Sequence, residues 1–342
     1  MTTASIPQSP GRALLVRVAE LRAWLFLIFL LIFFETWSRH ANNTSFVFNV
    51  YNIQAISVFA TAPLLLALGQ TFVIISAGSD LSLGFLMGLA SVIAAHTANY
   101  VAQQMGLGPF PAMCMGIAAG ALIAIAPGLV NGWLIAYLRV PAFIGTLGMY
   151  GVARGAAYLF AGGMTISIDN EWYSGIGNGR VLGVPVLVIL TAIACLVLHY
   201  LLSQTRFGQH TYAIGASKAA ASRAGINVRA VTMKIYLLSA VMAGIAGALY
   251  TGRFTAGAAQ AGEPLMLDAI AAVVIGGASL FGGSGTILGT VAGALVIAVI
   301  QYGLVFINVE PFWQFIAVGT VIIISVLVDQ TQRRLIGGRH VE

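Results

Sequence analysis

Charge is scarce in this 342-residue chain: Lys, Arg, Asp and Glu together make up 8% of it. A globular domain carries about 25% charged residues, so a soluble fold with a solvated surface is excluded, and disordered and collagen-like chains go with it. Only two cysteines are present, Cys114 and Cys195. Each lies in an apolar run with no His or second Cys at metal-ligand spacing, so they read as packing residues and not as a disulfide framework. Lysine is nearly missing too: Lys218 follows Ser217 and Lys234 follows Met233. Neither can close the Gly-x-x-x-x-Gly-Lys-Ser/Thr loop whose amides and ammonium hold nucleotide phosphates, so the chain is not its own ATPase. Neither the zinc-protease pattern His-Glu-x-x-His nor a Gly-x-Ser-x-Gly nucleophile with a partner His is visible. The five histidines, His40, His96, His199, His210 and His340, are dispersed. A lone one such as His96 reads as a packed or interface residue.

What is abundant is apolar residue, 59% of the chain, and glycine, 40 residues, at a mean hydropathy of +0.94. One membrane span needs about 20 apolar residues, and ten runs qualify: ~22–38, 52–76, 84–104, 112–138, 142–162, 182–202, 232–252, 267–281, 286–307 and 312–328. The first, Trp24 to Phe34, is followed by Glu35-Thr-Trp-Ser-Arg-His and no small-x-small cleavage site, so it is expected to stay as an uncleaved span. The fold expected is an all-α membrane protein of about ten helices. It divides into a tail, 1–21, one transmembrane domain, 22–328, and a second tail, 329–342.

The net charge of +6 would suggest a nucleic-acid partner on a soluble protein. Here the positives cluster in loops between apolar runs, as the positive-inside rule requires of an inner-membrane protein, so no nucleic acid is implied. Segment 204–234 holds Arg206, Lys218, Arg223, Arg229 and Lys234 without one acid, and the last tail adds Arg333, Arg334 and Arg339. Placing both in the cytoplasm, with the N-terminus, leaves twelve basic residues inside and three, Arg39, Arg180 and Arg253, outside. Asp169, Glu171, Glu263 and Glu310 then all fall outside.

Small-residue rows such as Gly285, Gly289 and Gly293 suit close helix packing in lipid. Pro63, Pro127 and the stretch Ser76–Gly84 predict broken helices, which in lipid line cavities. Asp80, Gly88 and Ser91 repeat the spacing of Asp268, Gly276 and Ser279. That echo fits an inverted repeat of spans two to five against seven to ten, or coincidence in an Ala/Gly-rich background.

Carboxylates, which an ion-coupled carrier would keep at membrane depth, are almost missing from the runs. Arg154 is the one plainly buried charge and reads first as structural, paired with a carboxylate or a helix C-terminus. A pathway without ionisable groups suits a neutral hydroxylated solute held by amides, hydroxyls and aromatic faces. Candidates are Gln54, Gln70, Asn131, Tyr158 and Gln301, with Asp80 and Asp268, two acids at span starts that also read as helix caps. A stand-alone carrier or facilitator for a small neutral solute is the alternative class.

Segment 205–228 reads as a short turn and then a helix begun by Ser217 and stopped by Gly225-Ile-Asn. A small, basic helix protruding from a domain without its own energy source is a natural place for an external motor to push. The same segment also reads as a plain basic loop that only sets topology.

At these residues the chain resembles the permease subunits of bacterial ABC importers for ribose, xylose, arabinose and related sugars, from about residue 50 to Asp329. Four stretches carry the resemblance: Gly78-Ser-Asp-Leu-Ser-Leu-Gly84; Val140-Pro-Ala-Phe-Ile-Gly-Thr-Leu with Arg154-Gly155; Thr205-Arg-Phe-Gly through Ser222-Arg-Ala-Gly-Ile-Asn227; and Leu267 to Ser279 with Gly282-Gly-Ser-Gly. Ser79 departs from the Ile usual in that family. The resemblance implies a permease, homodimeric or pseudo-symmetric, fed by a periplasmic sugar-binding protein, with ATP and Mg held by cytoplasmic ATPase subunits. These subunits would dock on the loop 204–231, whose coupling residues would be Ala216, Ser217, Lys218, Ala219, Ala220, Ser222, Arg223, Ala224 and Gly225.

Overall fold

The structure, a computed structural model, describes residues 10–310 and 312–336. The chain runs through α1 (Pro10–Asn42), α2 (Val50–Ile75), α3 (Leu83–Gln103), α4 (Pro109–Ile123), α5 (Ile125–Ala136) and α6 (Ala142–Ala161). It continues through β1 (Ile166–Ser167), α7 (Glu171–Asn178), β2 (Arg180–Val181), β3 (Val184–Pro185), α8 (Val186–Gln204), α9 (Arg206–Ala216) and α10 (Lys218–Arg223). Then come α11 (Val228–Phe254), β4 (Ala256–Gly257), α12 (Glu263–Ile275), α13 (Ile287–Phe306) and α14 (Phe312–Ile336). The all-α expectation holds. Among the described residues seven segments are long and apolar enough to cross a membrane: Leu21–Ala41, Val50–Ile75, Leu83–Gln103, Pro109–Ala136, Val186–Gln204, Val228–Phe254 and Ile287–Phe306.

Packing centres on α2 and α11, which touch each other. α2 packs against α12 and α13, while α11 packs against α3, α4 and α5; α3 carries α6 on its outer side as α12 carries α14. The same set of contacts thus occurs in spans two to five and in spans seven to ten. The residue echo does not map onto it: Asp80 precedes α3, whereas Asp268 is the sixth residue of α12.

The close approaches are made by glycine. A methyl group on Gly120 would lie 2.8 Å from the Ala90 carbonyl oxygen, and one on Gly293 would lie 2.0 Å from that of Ala272, so the α3–α4 and α12–α13 crossings tolerate no side chain there. Two non-helical stretches, 76–82 and 255–262, run into the interior between these helices. They bring the N-termini of α3 and α12 together: a methyl on Gly84 would sit 2.7 Å from the Gly262 carbonyl oxygen.

Two expectations are corrected and one is met. Pro63 does not break α2, which continues through it. Pro127 does, because it has no N–H to offer the carbonyl four residues back; α4 stops at Ile123 and α5 starts at Ile125. The predicted span 267–281 is displaced: α12 ends at Ile275, and Gly277, Gly282, Gly283 and Gly285 turn the chain with positive φ.

Candidate coupling surface and the buried polar network beneath it

The segment read as a short turn before Ser217 is an eleven-residue helix, α9. The Thr205 side chain opens it, accepting from the Gly208 amide and donating to the Leu201 carbonyl at 2.6 Å. Its buried face is Gly208, Thr211 and Ile214, a three-residue period, and Phe207 stacks on Phe72 of α2 at 5.7 Å between ring centroids. Gly215 lies so close to its neighbours that a methyl group there would be 1.8 Å from the Ile75 carbonyl oxygen and 2.6 Å from the Gly283 nitrogen. The Gly283 amide itself donates to that carbonyl at 2.8 Å, and the Tyr212 hydroxyl donates to the Gly285 carbonyl at 2.6 Å. Burial pushes the Tyr212 phenol above its ordinary pKa, so it keeps the proton it donates. α9 is thus bolted to the end of α2 and to the turn after α12.

α10 stands on this platform. Ser217 is extended and its hydroxyl accepts from the Ala220 amide at 3.2 Å. At the other end Gly225 takes φ +84°, its amide donating to Ser222 and that of Ile226 to Ala221, both at 3.1 Å, a closing pair that needs a left-handed residue. The start and stop expected from the sequence are therefore present. Ala221 is the residue of α10 turned inward; Ala216, Ser217, Lys218, Ala219, Ala220, Ser222, Arg223, Ala224 and Gly225 are all exposed.

Between α10, the start of α11, the α5–α6 turn and residues 76–78 lies a cavity of about 800 Å³. Arg139, Lys218 and Arg229 give its wall a positive sign, and Tyr236, nearly fully buried, is among the residues that line it. The Tyr236 hydroxyl donates to the Ser79 carbonyl at 3.2 Å, and one turn on Ser239 donates to Asp80 at 3.1 Å. α11, entered directly from α10, is thereby tied to the non-helical stretch ahead of α3.

The pathway candidates fall into separate places. Asp80, fully buried, accepts from the Ser82 amide at 3.0 Å and hydroxyl at 2.6 Å; Ser82 is the N-cap position of α3 and no side chain bonds the amides of the first turn, so Asp80 is not the helix cap the sequence suggested. Asn131 joins the same network, donating to the Ser82 hydroxyl at 3.0 Å, with its Oδ1 left without a partner. Asp268 pairs instead with Gln301, whose Nε2 donates at 2.8 Å from α13; being mid-helix, it is not the cap the sequence suggested. Gln54 donates to the Gly183 carbonyl at 2.7 Å and so holds the β2–β3 hairpin. Gln70 is buried in α2 with Oε1 unpartnered, and Tyr158 on α6 is half-buried against Phe85. Sequence reasoning missed Ser82, Ser239 and Tyr236, the groups that bind Asp80 to α11. Among the described residues no cluster of three or more His, Cys, Asp or Glu could hold a metal ion.

Comparison with known proteins bears on this architecture. The galactose/methyl galactoside import permease of Haemophilus influenzae is 37% identical over 295 residues, 82% of this chain and 87% of that one. The ribose import permease of Escherichia coli K12 is 35% identical over 321 residues, 91% of this chain and 96% of that one, and the ribose import permease of Bacillus subtilis is 39% identical over 268 residues, 78% and 80%. Residues 52–326, from the first turn of α2 into α14, match the family described as the permease component of branched-chain amino acid transport systems, and the chain belongs to that permease family.

Proposed function

We propose that the chain is the membrane-spanning permease subunit of an ATP-binding-cassette importer, passing a monosaccharide or related polyol from periplasm to cytoplasm. A single observation carries the proposal: a small, basic helix, exposed except at Ala221 and capped at both ends, stands on a platform fused to the ends of the transmembrane helices. A helix of Ala, Ser and Gly with a charged residue at each end fits a groove closely, and Ala216–Gly225 presents such a surface to a cytoplasmic ATPase subunit. ATP and Mg would act on that subunit, outside this chain. Closure of the ATPase pair would push α10, and α11 would carry the displacement through Tyr236 and Ser239 to Ser79 and Asp80, and so to α3.

The names of the relatives, import permeases for ribose and for galactose or methyl galactoside, support a sugar as solute. A periplasmic sugar-binding protein would deliver it, and a second copy of this chain would complete the pore. In this reading the ten apolar segments all cross the inner membrane, both termini are cytoplasmic, and Gln54, Gln70, Asp80, Asn131, Tyr158, Asp268 and Gln301 are the pathway candidates. Reversing the charge at Arg223, as Arg223→Glu, should abolish ATP-driven uptake and ATPase binding while insertion stays normal. Normal uptake with undiminished ATPase binding would remove the role given to α10.

A further inference from the structure

α6 carries a polar stripe that its depth in the fold does not explain. Tyr150, Arg154 and Tyr158 succeed one another at four-residue intervals, so they share one face of the helix. Arg154 is the thirteenth of 20 residues, roughly 10 Å of helix from the outer end at about 1.5 Å per residue. Its guanidinium does not snorkel outward. It lies over the fully buried Phe85 ring at 5.3 Å. Tyr150 packs edge-on against the same ring at 4.8 Å and donates to Glu263, the first residue of α12, at 3.2 Å. A cation, a carboxylate and two phenols thus gather where α3 and α12 begin, around one aromatic floor.

On its open side the stripe is uncovered. Side chains added at Gly148, Gly151 or Gly155 would meet nothing within 4 Å, and Arg154 is exposed. Lipid is a poor neighbour for a guanidinium and a carboxylate at this depth, and such groups in membrane proteins face protein or a water-filled cavity. With Arg154 and Glu263 cancelling, the cluster has no net charge and so no preference for an ionic cargo. It offers fixed donors, fixed acceptors and a flat aromatic rim, the complement of a ring that carries adjacent hydroxyls on an apolar face.

We infer that this face of α6, with Glu263, lines the water-filled passage and that Arg154, Glu263, Tyr150 and Tyr158 contact a neutral polyhydroxylated solute in transit. The inference rests on the importer reading above for its solute and on the geometry for its site. The test uses the complete importer with Cys114→Ser and Cys195→Ala in the permease, and single cysteines at Gly151→Cys, Gly155→Cys or, as a comparison exposed on the apolar helix α8, Leu196→Cys. A membrane-impermeant cationic thiosulfonate should label positions 151 and 155 at least tenfold faster than 196, and D-ribose or D-galactose, whichever the importer carries, should slow that labelling. Arg154→Leu should lower uptake tenfold or more with ATPase binding unchanged, and Arg154→Lys should restore part of it. Labelling at 151 and 155 as slow as at 196, protection by leucine but by neither sugar, or wild-type uptake by Arg154→Leu would each overturn the assignment. Labelling is read without ATP, so uptake that needs no ATP would defeat the importer reading alone and leave the accessibility result standing.

Discussion

Gly225→Ala isolates the contribution of the α10 cap. Gly225 sits at φ +84° with nothing within 4 Å of the position a methyl group would take, so the substitution introduces no clash and only a conformational cost. Holding a residue with a side chain in the left-handed region costs about 1–2 kcal/mol. The closing bonds to Ser222 and Ala221 form only with that backbone. If α10 must keep its shape to enter a groove on the ATPase, the same cost weakens docking by roughly 5- to 30-fold, since about 1.4 kcal/mol is a factor of ten. Asparagine tolerates this conformation better than alanine, so Gly225→Asn should lose no more than about 5-fold. The assay is the affinity of the purified ATPase subunit for the permease in detergent, beside ATP-driven uptake in vesicles. The thermal midpoint of the membrane domain should fall only slightly, because the exposed end of α10 can fray without opening the helices beneath it. Equal loss in the Asn and Ala variants, or wild-type affinity in Gly225→Ala, would refute the reasoning.

Other substitutions should separate platform from lever. Gly215→Ala would place a methyl group 1.8 Å from the Ile75 carbonyl oxygen, costing about 1–3 kcal/mol of overpacking; it should lower the thermal midpoint in detergent by more than Gly225→Ala does. Asp80→Ala would strip the Ser82 amide and hydroxyl and the Ser239 hydroxyl of their acceptor, a loss of about 1–3 kcal/mol for a buried unsatisfied group; Asp80→Asn, which keeps an acceptor, should recover a large part of the midpoint. Asp268→Ala and Gln301→Ala, combined, should show a coupling of about 0.5–3 kcal/mol in a double-mutant cycle on stability, as residues in direct contact do; additive effects would mean that the 2.8 Å contact contributes nothing.

Much of this could be read before any coordinates, and the failures are instructive. The positions of the apolar helices follow from hydropathy, which lipid enforces residue by residue. The ends of α10 follow from Ser217 and Gly225, whose chemistry is local. α9 was not legible because its buried face is made of Gly208, Thr211 and Ile214, residues small enough to look like loop composition. Asp268 falls at a span start only when hydropathy alone is counted; the start of α12 is marked instead by Glu263 and Pro264, an acid and a proline in its first turn. The two-residue strand pairs β1–β4 and β2–β3 are too short for any periodicity. Of the polar candidates, Asp80 and Asn131 are joined through Ser82, and Asp80 is reached by Ser239, 159 residues further along; no local pattern announces either long-range contact.

The central claim is that the permease is moved by another subunit acting on α10. The most direct measurement is solute uptake into proteoliposomes holding the permease with its binding protein, with and without the ATPase subunit, under ATP and under an imposed proton or sodium gradient. The account predicts accumulation only when ATPase and ATP are both present, and its loss in Arg223→Glu. Accumulation by the permease alone on an ion gradient would contradict it.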